Sequence, residues 1–100
     1  MTDPSLRFVD WLAAALAARG TRFALGVPGG GTTLDLLMAL QGAGIRSVVT
    51  AREDAAMIMA GVAGRLATAP GIAFTTKGPG LASAANGLAS ALLDRLPVIL

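Results

Sequence analysis

The sequence has 100 residues, of which 54% are hydrophobic and only 14% are charged, and its formal net charge is +2. Cysteine and histidine are both absent, which excludes disulfide bonds, thiolate chemistry, a histidine general base and the usual zinc sites. The arginines are scattered and form no basic run, so a nucleic acid partner is not expected.

The first predicted element is an amphipathic helix that starts at Asp3 and Pro4, a typical N-cap and N1 pair, and ends at Gly20. Its apolar residues at helical spacing form one expected core face: Phe8, Trp11, Leu12, Ala15 and Leu16. A short apolar strand is predicted next, at residues 22–26.

A glycine-rich loop at residues 29–31, next to Pro28, connects this strand to a second helix that Thr32 or Thr33 would cap. The apolar positions that indicate the helix are Leu34, Leu37 and Met38. Loop amides at a helix N-terminus attract anions, but a Walker A loop needs lysine in place of Thr32, and no Gly-x-Gly-x-x-Gly pattern fits. A purely structural turn and a ligand-facing loop both remain open.

The second predicted strand, residues 46–50, leads into a third helix over residues 52–66. Glu53, the only glutamate, lies where they join, at the edge of a parallel sheet where ligands bind. The same position also suits a first-turn charge that only favours the helix dipole, and both interpretations stay open at this point.

The third helix has two predicted faces. Its larger apolar residues form a stripe that core packing explains: Ala55, Met59, Val62 and Leu66. Its small residues form a surface that a second helix or another subunit could approach closely: Ala56, Ala60, Gly61, Ala63 and Gly64.

A third strand is predicted at residues 71–76, then a fourth helix, then a final strand at residues 97–100. The helical spacing of the fourth helix is kept by Leu81, Ala84, Ala85, Leu88, Ala89 and Leu92. Because strands and helices alternate with short connections, the sequence predicts an α/β fold with a parallel sheet and right-handed crossovers. The loops around Pro28, Glu53 and Pro79 then lie along one edge of the sheet.

The high apolar content of so short a chain indicates that other parts of a longer protein cover some of its surface. No apolar stretch reaches the roughly 18 residues of a membrane span, and the N-terminus does not have the pattern of a signal peptide. We expect a fragment of a cytoplasmic protein without a membrane partner.

Four segments, in this order and spacing, point to one family. They are residues 26–29 (Gly-Val-Pro-Gly), Glu53 with residues 55–60, residues 76–80 (Thr-Lys-Gly-Pro-Gly) and residues 94–98 (Asp-Arg-Leu-Pro-Val). Together they resemble the N-terminal pyrimidine-binding domain of thiamine-diphosphate-dependent enzymes, most closely the acetolactate synthase-like group, over the whole chain. The resemblance implies a parallel sheet with helices on both faces. It makes residues 1–100 the N-terminal part of that domain, with the diphosphate-binding domain outside this chain.

The resemblance also implies the site. Glu53 would contact the N1′ nitrogen of the cofactor's aminopyrimidine and share a proton with it, which promotes the carbanion that attacks a 2-oxo acid. The cofactor ring would be lined by Val27, Pro28, Thr76, Pro79 and Ser83. The diphosphate and its Mg²⁺ would bind a different domain, and the full-length enzyme would be a homodimer or homotetramer. FAD, found in some relatives, does not follow from these residues.

Three positions depart from the family pattern: Arg52 replaces a frequent histidine, Asp54 a glutamine and Ser83 an asparagine. They leave the domain assignment intact and the substrate open, because carboligases, decarboxylases and oxidases share this cofactor activation. The implied activity is acetolactate synthase-like carboligation after decarboxylation, with a 2-oxo acid decarboxylase (lyase) as the alternative. A non-catalytic homologous domain and a Rossmann-type nucleotide-binding module also fit the order of elements, although the second lacks its glycine fingerprint.

Overall fold

The computed structural model describes residues 5–100, which form five helices and four strands. In chain order they are α1 (Phe8–Ala18), β1 (Phe23–Gly26), α2 (Thr32–Gly42), β2 (Arg46–Val49), α3 (Glu53–Leu66), β3 (Gly71–Phe74), α4 (Pro79–Ser83), α5 (Ala85–Leu93) and β4 (Val98–Ile99). The four predicted strands are confirmed, each somewhat shorter than expected. The predicted N-cap at Asp3 and Pro4 lies outside the described residues.

The strands form one parallel sheet in the order β2-β1-β3-β4. In the register of β1 with its two neighbours, Gly26 is opposite both Val49 of β2 and Phe74 of β3. The three strands therefore end at the same level, and the loops that follow them meet at one edge of the sheet.

Helices cover both faces of the sheet, as predicted, because neighbouring strand residues point to opposite sides. The face covered by α1 and α2 has a core of Ala13, Ala24, Ala39, Leu40, Ile45, Ile72 and Phe74. The face covered by α3 and α5 has a core of Leu25, Ala56, Met57, Ala60, Ala73, Ala84 and Ala91. Most of these residues are small, so the helices lie close to the sheet.

The predicted core stripe of α3 was wrong, whereas its small-residue face is approached closely by a second helix, α5, as predicted. The predicted core stripe is largely exposed, with Met59 at 48% and Leu66 at 82% of full exposure. The small residues instead face the protein: Ala56, Ala60, Gly61 and Gly64 are buried, together with Met57. A Cβ atom added at Gly64 would lie 2.5 Å from the backbone nitrogen of Gly71, so close packing against the sheet requires glycine there.

On α1 and α2 the reversal is partial, since Leu16 and Leu37 pack against the core as predicted. On α1, Phe8 is 69% exposed and stacks on Trp11, while Ala13 is buried. On α2, Leu34 and Met38 are exposed and Ala39 and Leu40 are buried.

The predicted threonine cap of α2 was also wrong. The N-cap residue is Gly31, with φ 62°, and it provides no side-chain hydrogen bond. Glycine is suited to this position because a side chain disfavours positive φ.

The predicted fourth helix is divided in two, since α4 ends at Ser83 and α5 begins at Ala85. Its leucines, at positions 81, 88 and 92, are exposed, and the small residues Ala84, Gly87 and Ala91 are buried. A Cβ atom at Gly87 would lie 2.6 Å from the backbone oxygen of Asp54, which shows how closely α5 approaches α3. Within residues 5–100, no helix has the length and apolar character needed to cross a membrane.

Candidate functional site

The site lies at the edge of the sheet where β1, β2 and β3 end. In the strand order, β2 lies on one side of β1, toward one lateral edge of the sheet. β4 lies beyond β3, toward the opposite lateral edge. The loops after β1 and β3 therefore diverge and leave a crevice between them. Such a switch point at the carboxyl ends of parallel strands is where open α/β sheets bind ligands.

Glu53 is the first residue of α3 and follows the extended N-cap residue Arg52. Its side chain is half-buried, and within residues 5–100 its carboxylate forms neither an ion pair nor a hydrogen bond. A buried or half-buried polar group normally has a partner, so an unpaired carboxylate at a ligand-binding edge indicates a group that meets a ligand.

Thr76, just after β3, lies close to the loop after β1 and to the start of α4, and Glu53 is nearby. A Cβ atom at Gly29 would overlap its methyl group, and one at Gly80 would lie 2.5 Å from its hydroxyl oxygen. The same position at Gly80 is 3.5 Å from Oε2 of Glu53. The structure therefore brings together Glu53, Thr76 and two loop glycines, and Thr76 occupies the space that side chains at these glycines would need.

The carboxylate of Asp54, beside Glu53, has hydrogen-bond partners for both of its oxygens. Both its oxygens accept hydrogen bonds from Arg52, at 3.0 and 2.9 Å, and one also accepts from the backbone N–H of Ala55 at 2.8 Å. Burial raises the pKa of Asp54, but hydrogen bonds from Arg52, Ala55 and Asn86, with the Arg52 charge, outweigh it and hold the pKa below its usual value. Asp54 thus neutralises Arg52 and leaves Glu53 unpaired.

This pairing was missed by the sequence analysis, which noted Arg52 and Asp54 only as separate departures from the family pattern. Opposite charges two residues apart at a helix start were the available signal. The contribution of Asn86 from α5 could not be inferred without the packing of the two helices.

The other predicted ring contacts lie at the same edge in two groups. Val27, Pro28 and Thr76 are half-buried and directly follow the strands, whereas Pro79 and Ser83 are the exposed first and last residues of α4. Their contact with a cofactor ring stays a prediction.

An open groove of about 820 Å³ separates the loop after β1 from the loop after β3. It is lined by Gly30, Gly31, Thr32, Thr33, Leu36, Thr75, Thr76, Lys77 and Leu81. The glycine loop is therefore both a structural turn, since Gly31 has positive φ, and one wall of a groove. The sequence analysis did not predict that Lys77 faces this loop across the groove. Among the described residues, no group of three or more acidic side chains is arranged to hold a metal ion.

A parallel sheet covered by helices, with an unpaired glutamate at its ligand-binding edge, is typical of α/β domains that bind a cofactor. Within this class, the chain belongs to the thiamine-diphosphate-dependent enzymes. The family model of the thiamine pyrophosphate enzyme N-terminal TPP binding domain matches residues 6–100. This membership confirms the family predicted from the sequence.

Relatives of this chain are named for different activities. The chain is 36% identical to a probable 2-ketoarginine decarboxylase of Pseudomonas aeruginosa over 88 residues, which are 88% of this chain and 16% of that protein. It is 34% identical to the acetolactate synthase isozyme 2 large subunit of Escherichia coli over 90 residues, 90% of this chain and 16% of that protein. It is 36% identical to human 2-hydroxyacyl-CoA lyase 2 over 89 residues, 89% of this chain and 14% of that protein. The chain thus spans about one-sixth of its relatives' length.

Proposed function

We propose that this chain is the N-terminal part of a thiamine-diphosphate-dependent enzyme that acts on a 2-oxo acid, with acetolactate synthase-like carboligation after decarboxylation. The observation that carries the proposal is the half-buried Glu53 carboxylate, which has no partner within residues 5–100 and lies at the switch-point edge. A carboxylate that served only the helix dipole would not need this position beside Gly80 and Thr76.

The residues at the edge fit the aminopyrimidine half of the cofactor. Glu53 would hold a proton at its N1′ nitrogen, and the missing Cβ atoms of Gly29 and Gly80 allow Thr76, a predicted ring contact, to lie between the loops. Val27, Pro28, Thr76, Pro79 and Ser83 would contact the ring. When bound, thiamine diphosphate supplies the nucleophilic carbon that adds to the carbonyl of a 2-oxo acid. The role of the chain is to orient the ring and control its protonation.

The diphosphate and Mg²⁺ would be held by residues outside this chain, in a separate domain of the cytoplasmic full-length enzyme. We also propose that this enzyme is a homodimer or homotetramer. Support comes from the large apolar side chains that α3 and α5 leave exposed, because exposed apolar patches mark surfaces covered by other protein.

A second candidate is a 2-oxo acid decarboxylase (lyase). It is favoured by the 36% identity to a probable 2-ketoarginine decarboxylase, since the carboligase relative is no more similar. Both candidates use the same activation by Glu53, so they differ only in the fate of the intermediate.

The test replaces Glu53 with glutamine in the full-length enzyme and measures deuterium exchange at C2 of bound thiamine diphosphate. Glutamine keeps the shape but cannot titrate, and a positioned proton-transfer group is typically worth on the order of 10² to 10⁴ in rate. We expect exchange to slow by at least ~10² at equal cofactor occupancy. Asp94→Asn is the control, because Asp94 is an exposed acidic residue at the end of α5, beside the last turn of α3 and away from Glu53, and its replacement should change exchange little. Exchange by Glu53→Gln within about threefold of wild type, against the penalty expected for such a group, would disprove the catalytic role.

A further inference from the structure

The ion pair of Arg52 and Asp54 consists of the two residues on either side of Glu53. The Arg52 guanidinium is charged at every physiological pH. Two of its nitrogen atoms, Nε and Nη2, donate to the two carboxylate oxygens of Asp54, at 3.0 and 2.9 Å. A two-point pair of this kind fixes the orientation of the guanidinium and also neutralises its charge. Within residues 5–100, Arg52 forms no other ion pair.

The backbone at this ion pair is held in place on both sides. The carbonyl oxygen of Arg52 accepts hydrogen bonds from the Thr50 hydroxyl at 2.8 Å and from the backbone N–H of Ala56 at 3.1 Å. α5 packs so closely on α3 that a Cβ atom at Gly87 would lie 2.6 Å from the carbonyl oxygen of Asp54. The Asp54 side chain is 13% exposed and that of Arg52 is 75% exposed. Asp54 is therefore the fixed member of the pair, and it determines where the Arg52 guanidinium lies.

Glu53, in contrast, has no partner of its own. Its half-buried carboxylate forms neither an ion pair nor a hydrogen bond within residues 5–100, and its Oε2 atom lies 3.5 Å from the Cβ position of Gly80. The surrounding segments, which are residues 26–31, α4 and α5, carry no charged residue, and the loop after β3 carries only the exposed Lys77. At the start of α3 itself, the charges beside Glu53 are those of Arg52 and Asp54, and they cancel.

We propose that Asp54 is a positioning residue for the reaction: it holds and neutralises Arg52, so that Glu53 can keep the proton that it shares with the cofactor ring. This inference rests on the proposed function of Glu53. A positive charge close to a carboxyl group favours the ionised form, which has given up its proton. Without Asp54, the Arg52 charge would act on Glu53 unopposed.

The pair persists at neutral pH. Burial raises the pKa of Asp54, but the hydrogen bonds and charge of Arg52 outweigh it and hold the pKa below its usual value. Asp54 is therefore ionised wherever the enzyme would work.

The first measurement titrates Glu53 in the full-length protein after removal of the cofactor. Its protonated carboxyl band is identified in infrared spectra as the difference between each variant and the same variant carrying Glu53→Gln. We expect the pH at which this band is half lost to fall by about one unit in Asp54→Asn, because a nearby opposite charge is then unmatched. Arg52→Gln, at an exposed side chain, should instead raise it.

The double variant, Arg52→Gln with Asp54→Asn, lacks both charges and should titrate as wild type does. The control is Asp94→Asn, which removes an exposed negative charge at the end of α5 and should leave the Glu53 titration unchanged.

The second measurement is deuterium exchange at C2 of bound thiamine diphosphate at equal cofactor occupancy. Asp54→Asn should slow exchange about tenfold, as expected when a titration moves by about one pH unit, and the double variant should recover to within about threefold of wild type. A purely structural role of Asp54 at the start of α3 predicts no recovery, because the double variant lacks the same hydrogen bonds.

The proposal is overturned if the pH of half-loss does not fall in Asp54→Asn, or if either the titration or the exchange rate fails to recover in the double variant. If Asp54→Asn does not fold, Arg52→Gln decides alone, and a pH of half-loss that does not rise overturns the proposal. Unaltered exchange in Glu53→Gln refutes the proposed function instead, and the infrared titration still shows whether Arg52 and Asp54 control the protonation of Glu53.

Discussion

Gly64 determines how closely α3, the helix that begins with Glu53, can approach the sheet. A Cβ atom there would lie 2.5 Å from the backbone nitrogen of Gly71 and would overlap the carbonyl oxygen of Pro97. These two atoms form the 2.8 Å hydrogen bond that joins the start of β3 to the segment before β4. Both are backbone atoms, so no rotamer change can relieve the overlap. Gly64→Ala should therefore push α3 away from the sheet or break this bond.

The expected magnitude follows from three opposing contributions. Overpacking a well-packed core costs about 1–3 kcal/mol, and loss of a backbone hydrogen bond costs about 0.5–1.5 kcal/mol. Alanine favours a helix over glycine by about 1 kcal/mol, which opposes the loss. The net destabilisation is about 2 kcal/mol, or roughly 30-fold in the opening equilibrium, since about 1.4 kcal/mol is tenfold.

Hydrogen exchange measured by mass spectrometry on the full-length protein reports this change locally. We expect roughly 30-fold faster exchange in peptides from α3 and β3 of Gly64→Ala. The control is Gly42→Ala, at the end of α2, where an added Cβ atom meets nothing within 4 Å. That change should slow exchange in α2 or leave it unaltered. If Gly64→Ala slows hydrogen exchange in α3 as Gly42→Ala slows it in α2, then α3 does not lie as close to β3 as described.

Two further predictions concern the loops of the site. Gly31 has φ 62° and Gly30 does not have positive φ, so Gly31→Ala should destabilise the protein by about 1–3 kcal/mol while Gly30→Ala is nearly neutral. Equal melting temperatures of the two variants would contradict this. For Asp54, the lowered pKa means that its stabilising effect is present above the usual value of 3.8 and is lost as the pH falls through the lowered value. The melting-temperature difference between wild type and Asp54→Asn should therefore shrink between pH 5 and pH 3, and a constant difference would argue against the Arg52 pairing.

Local sequence information was sufficient to predict the helices and strands and their order along the chain. Glycines and prolines separate short apolar runs from helical patterns, and alternation of strands and helices with short connections leaves a parallel sheet as the favoured arrangement. Glu53 could be assigned to the ligand-binding edge for the same reason, because the residue after a parallel strand must lie there. The family resemblance, now confirmed, then gave this carboxylate a chemical role to test.

Periodicity did not predict which faces of α3 and α5 pack inward, although it placed Leu16 of α1 and Leu37 of α2 against the core. Hydrophobic spacing assumes that the largest apolar residues seek the core, whereas Gly61 and Gly64 on α3, with Gly87 on α5, allow backbones to approach so closely that larger residues do not fit. Residues such as Leu66 are consequently on the outside. Which face packs inward depends on the partner surface, and that surface exists only in the tertiary structure.

The pairing of Asp54 and the composition of the groove were likewise decided by tertiary structure. Asn86, 32 positions later in the chain, helps to lower the pKa of Asp54 because α5 packs on α3. Lys77 faces the glycine loop because β1 and β3 are neighbours in the sheet, although β2 and α3 separate them in sequence. The sequence determines which groups each loop carries. Only the strand order, which is fixed by long-range packing, determines which loops meet.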